Sequence, residues 1–139
     1  MKLFLSLLVC LVVTAVVLIA QEARSPLEGV YSAAQAKRGE STYEQNCVSC
    51  HGANLGGSEG GPALIGVEFD ARWDGSKLSE LFKLMKETMP QSAPGSLVDR
   101  QYSDVLSFIL SRASFPAGET DLSSNPDKLG ELTYKPPKR

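Results

Sequence analysis

The chain has a single histidine, His51, in 139 residues. Chemistry that needs two imidazoles from one chain is therefore excluded. Cysteine is almost as scarce, with three residues. Cys10 lies in an apolar leader and reads as a filler there, so Cys47 and Cys50 are the two thiols left to carry chemistry. No GxxxxGK[ST] loop occurs, which removes the P-loop nucleotide class. No basic run occurs and the formal net charge is −2, so no nucleic acid is expected as a partner. Alternating apolar and polar stretches are missing, which argues against β-sheet. There is no internal repeat, and the length suits one domain.

What is present begins with Lys2 and an almost unbroken apolar run from Leu3 to Ala20. A short basic start, an apolar centre and small residues at the end are the layout of a secretory signal. Cleavage after Ala20 or Ala23 fits. The run is also long enough for an uncleaved single-helix membrane anchor. Either reading places the remainder on the far side of the membrane, as an exported, periplasmic protein. Residues 1–23 are thus read as signal peptide or N-terminal anchor. Residues 24–32, with Pro26 and Gly29, read as a linker.

Three segments have helical character. Residues 33–46, AAQAKRGESTYEQN, have helix-forming composition, interrupted by Gly39. A glycine there costs on the order of 1 kcal/mol relative to alanine, which suggests close approach of another backbone. Tyr43 shares its face at i+4. In SKLSELFKLMKETM (76–89), Leu78, Leu81, Phe82 and Met85 form one apolar stripe. Ser76 is the expected N-cap, and Pro90 ends the helix. In SLVDRQYSDVLSFILSR (96–112), Tyr102, Val105, Leu106 and Ile109 repeat that spacing. Ser96 and Asp99 resemble a capping box. The fold class is all-α with long loops, and the polar tail after Pro116 is expected to hold at most a turn of helix.

The chemistry concentrates in CVSCH, residues 47–51. A redox disulfide of the thioredoxin kind would open a helix within a βαβ frame, but this motif follows a helix and precedes a glycine-rich loop. A structural zinc site wants four N or S ligands, and only three are available. C-x-x-C-H is instead the attachment signature of c-type haem. Cys47 and Cys50 would form thioethers with the porphyrin vinyl groups, and His51 would be the proximal iron ligand. The sixth ligand is then a methionine, a weaker group or absent. Met85 completes its helix stripe and reads as core. Met89 stands at the helix end beside Pro90, where its thioether can turn toward a metal, and is preferred.

At this point the chain resembles the class I c-type cytochromes over about residues 29–115. The residues that carry the resemblance are C47-V-S-C-H51, G61-P62-A-L64 and M89-P90. The resemblance implies a small cytochrome c fold of about three to five helices around one covalent haem c. It places the cytochrome domain at 33–115 and a polar C-terminal extension at 116–139. It implies that Gly39 and Tyr43 cross Val105 and Phe108. It also implies that the Pro62 carbonyl accepts a hydrogen bond from the proximal imidazole, and that Leu64 touches the haem face. Trp73 is expected near the haem edge or in the core. The run T88-M-P-Q-S-A-P-G-S-L97 with Y102-S-D-V is similar to cytochrome domains associated with quinoprotein alcohol dehydrogenases. The implied function is one-electron transfer with His51 and Met89 as axial ligands, not catalysis. The implied partners are redox proteins, such as a quinoprotein dehydrogenase and a terminal oxidase. Two alternatives stand beside this: a haem subunit anchored in a dehydrogenase or respiratory complex, and a haem peroxidase or oxidase.

Overall fold

The structure, a computed structural model, describes residues 25–138. The leader therefore lies outside the described residues. Among the described residues no helix is long and apolar enough to cross a membrane. Among the described residues there are six α-helical segments: α1 (Ala33–Asn46), α2 (Val48–His51), α3 (Val67–Trp73), α4 (Leu78–Thr88), α5 (Asp99–Arg112) and α6 (Pro126–Gly130). Only isolated bridges, and no strands, occur among the described residues. The all-α expectation holds.

Helix α1 begins where expected, because the Ser32 hydroxyl accepts from the Gln35 N–H at 3.0 Å and satisfies one orphan donor of the first turn. Its main partner is α5, and Gly39 is the reason the two axes come so close. A Cβ placed on Gly39 would overlap the Asp104 carbonyl and lie 3.0 Å from Phe108 Cβ. The rings of Tyr43 and Phe108 meet at 5.3 Å between centroids. At Gly39 itself the closest approach is to Asp104 and Phe108. Val105, buried beside them, lines the cavity described below.

Helix α4 buries Leu78, Leu81 and Phe82, as the stripe predicts. It starts at Leu78 and not at Ser76, with Lys77 at the N-cap position. The tail accounts for the late start. The Leu78 N–H donates to Leu132 O at 3.0 Å, and Ser76 O accepts from the Tyr134 N–H at 2.8 Å. Helix α5 likewise starts later than expected, at Asp99. No Ser96 cap forms; the Gln101 side chain accepts from the Val98 N–H at 3.1 Å.

The segments flanking the helical core are docked onto it. In the expected linker, Tyr31 is buried and its hydroxyl donates to Phe115 O at 2.6 Å. Beyond Pro116, Leu122, Leu129, Leu132 and Tyr134 are all buried. Full burial of one such leucine contributes about 1.5–3 kcal/mol before ordering costs. Gln35, itself buried, pairs its amide with Leu122 in both directions, donating to its carbonyl at 3.0 Å and accepting from its N–H at 2.6 Å. Arg38 bridges Asp104 of α5 and Asp121 of the tail. Farther on, the Tyr134 hydroxyl hydrogen-bonds Asp70 of α3 at 2.7 Å. The tail is therefore a strap that ties α1, α3 and α4 together, with the single turn α6 packed on α4.

Candidate functional site

Cys47 ends α1 with a non-helical backbone (φ −127°, ψ −30°), and the chain resumes helix as α2. Within that turn Cys47, Cys50 and His51 stand at i, i+3 and i+4, the spacing that shares a helix face. All three line one cavity of about 710 Å³. His51 is 7% exposed. Its Nδ1 lies 2.8 Å from Pro62 O. A carbonyl can only accept, so Nδ1 donates and Nε2 is the nitrogen left to face a ligand. Gly61 makes that approach feasible. A Cβ there would stand 3.0 Å from His51 Cε1, so a larger residue would push the Pro62 carbonyl off the ring.

The surrounding loop is pinned in several places. The Tyr43 hydroxyl donates to Gly52 O at 2.7 Å. Ser58 Oγ donates to Cys50 O at 2.6 Å. The Leu64 N–H donates to Leu55 O at 2.8 Å, which holds the half-buried Leu64 on the cavity wall. These bonds hold the backbone of the loop that follows His51.

Helix α4 supplies Leu81, Met85 and Met89 to the wall, and α5 supplies Val105 and Ile109. Helix α3 supplies Phe69, Trp73 and Arg72. Trp73 is buried and stacks near Phe69 at 6.2 Å between centroids. The structure thus brings Cys47, Cys50, His51, Pro62, Leu64 and Met89 to one cavity. Met85, read as core from its stripe, reaches the same cavity.

Several wall residues had no signal in the sequence, Arg72 and Asn46 among them. Arg72 is the one cation on the wall among the described residues. Its guanidinium lies 5.6 Å from the Trp73 ring centroid. Asn46 joins the wall beside Cys47. Neither had a periodic or motif signal: Arg72 lies on α3, a short helix the sequence did not announce, and Asn46 is the last residue of α1.

The residues present fit a haem. The cavity falls within the roughly 300–1,000 Å³ usual for cofactor sites, and its lining is mainly apolar with a few polar groups. Cys47 and Cys50 are free thiols. Burial, then the charge of Cys50, pushes the Cys47 thiol up to about 11. Redox-active CxxC thiols are shifted the other way, so Cys47 does not have the character of one. Among the described residues no cluster of three or more His, Cys, Asp or Glu could hold a metal ion. One imidazole and a thioether are the donor set expected when a porphyrin supplies the remaining iron ligands.

Comparison with known proteins agrees with this chemistry. The family described as "Cytochrome C oxidase, cbb3-type, subunit III" matches residues 34–109, more than half the chain. Cytochrome c-551 of Bacillus subtilis (strain 168) is 35% identical over 83 residues, which span 60% of this chain and 68% of that protein. No solved structure matches. The chain belongs to the c-type cytochromes, in the family of the cbb3-type oxidase subunit III, and is a haem-based electron carrier with covalently bound haem c.

Proposed function

We propose that this protein is an exported one-electron carrier in which Cys47 and Cys50 hold the haem, His51 is the proximal ligand and Met89 the sixth. One observation carries this reading: the chain's sole imidazole has Nδ1 engaged by Pro62 O, on a cavity whose wall also includes Met89. Bound haem supplies reversible one-electron transfer. The chain's residues do the rest. Pro62 fixes the imidazole tautomer and raises its basicity. Leu64, Leu81, Val105 and Ile109 exclude water from the haem faces. Arg72 supplies the positive charge that the haem propionates require. With His51 and Met89 both engaged, no position is left for a small substrate, and no second histidine exists to serve as a distal acid–base group. That disfavours peroxidase or oxidase chemistry.

Met85 lies one helical turn from Met89, so the two are natural competitors for the iron. Met85 packs against the helical core. Met89 has an extended backbone (φ −125°, ψ 152°) at the C-cap of α4, where its side chain is not committed to a helix face. Met89→Ala should therefore abolish the weak sulfur-to-iron charge-transfer band of the oxidised protein and lower its reduction potential, since thioether ligation raises it. Met85→Ala should retain the band. The reverse pattern would assign the iron to Met85 and refute this ligand set.

The apolar leader and the extracytoplasmic nature of haem c attachment support a periplasmic location, with the leader cut or kept as an anchor. The family description, an oxidase subunit, supports a respiratory complex as host or electron acceptor. A quinoprotein dehydrogenase as donor rests on the T88–L97 resemblance alone.

A further inference from the structure

We propose that Tyr102 is a positioning residue for the sixth ligand, its hydroxyl fixing the backbone of Met89. This rests on the reading of Met89 as ligand. Tyr102 is 1% exposed, and its hydroxyl donates to Met89 O at 2.7 Å. It occupies the α5 stripe that continues to Val105 and Ile109, both on the cavity wall. Its ring is held edge-on by Phe82 of α4, at 6.3 Å between centroids and 79°. The phenol thus has little freedom of its own and acts as a fixed donor.

Met89 needs such a donor because it lies where α4 ends. Its N–H makes the last helical bond, to Met85 O at 2.9 Å. Its carbonyl is beyond the helix and would otherwise be an orphan acceptor. Apart from Tyr102, among the described residues only the Gly95 N–H approaches it, at a long 3.4 Å. Backbone bonds on both sides of Met89 therefore leave its side-chain torsions as the main freedom of the ligand. Without the hydroxyl, the carbonyl is held only by the long Gly95 bond, and conformations with the thioether off the iron become more populated.

A single neutral hydrogen bond corresponds to roughly three- to tenfold in such an equilibrium. The test is an alkaline titration of the charge-transfer band in oxidised holoprotein of Tyr102→Phe, which keeps the ring and removes only the oxygen. The band should be present near neutrality. Its midpoint of loss should fall by about half to one pH unit, tenfold being one unit. Tyr31→Phe is the control, since it removes a similar buried bond, to Phe115 O at 2.6 Å, away from the cavity. A purely structural role would lower the melting temperature in both variants and move the midpoint in neither, which would overturn the proposal. Equal midpoint shifts in both variants would overturn it too. Retention of the band in Met89→Ala would instead overturn the ligand assignment on which the role depends.

Discussion

His51→Ala should yield little haem-loaded protein. The substitution removes the sole imidazole of the chain and opens a gap in the wall of a large cavity. It also strips Pro62 O of the donor now 2.8 Å away. The thioether sites would remain, but an iron without its proximal ligand would not hold the surrounding walls in place. A small domain also draws much of its core from the cofactor, because its own side chains bury a limited share of surface. Haem absorbance per chain in the exported fraction is the measurement. A fall to a small fraction of wild type is expected. Normal yield with an unchanged spectrum would show that the proximal ligand is another residue.

Gly39→Ala should destabilise the protein by about 1–2 kcal/mol net of propensity, and its sign is informative. On an exposed helix the same change gains roughly 1 kcal/mol from propensity. Here the added Cβ would overlap the Asp104 carbonyl, which belongs to backbone and has no rotamer by which to escape. Overpacking of this kind costs about 1–3 kcal/mol and sometimes more, enough to reverse the propensity gain. Separating α1 from α5 to relieve it would loosen the Tyr43–Phe108 contact and move Val105 and Ile109 on the haem wall. Thermal unfolding of the holoprotein should show a drop of roughly 5–10 °C. A neutral or raised melting temperature would remove the close crossing from the account.

These two positions also show what could be read in advance. CVSCH is a local motif, and the i, i+3, i+4 placement of its side chains follows from one helical turn. Helix α1 and the apolar stripes of α4 and α5 were legible because 3.6-residue periodicity is local as well. Gly39 was legible as an anomaly, though not the backbone carbonyl it meets; Asp104 O is set against it only by the folded crossing. The starts of α4 and α5 were misplaced for a related reason. Ser76 and Ser96 are good caps by type, but Leu132, Tyr134 and Gln101 claimed the relevant backbone groups.

The strap was the least legible part. Leu122, Leu129, Leu132 and Tyr134 are spread through polar sequence with no helical period, and their burial comes from partners 50 or more residues earlier, such as Gln35, Asp70 and Leu78. Tyr102 is a similar case. Its place in an apolar stripe announced burial, but only the folded chain brings its hydroxyl to the end of α4. The same stripe therefore holds both wall residues and a hydrogen-bond donor, and sequence spacing does not separate the two.

The most direct test of the central claim is a haem stoichiometry on exported protein after acid–organic extraction, read as the pyridine haemochrome. One haem per chain should remain with the protein, with the absorption of a porphyrin saturated at both vinyl positions, and Cys47 and Cys50 should not react with thiol reagents. Haem that leaves with the solvent, or a haem-free protein with two reactive thiols, would contradict covalent attachment at CVSCH.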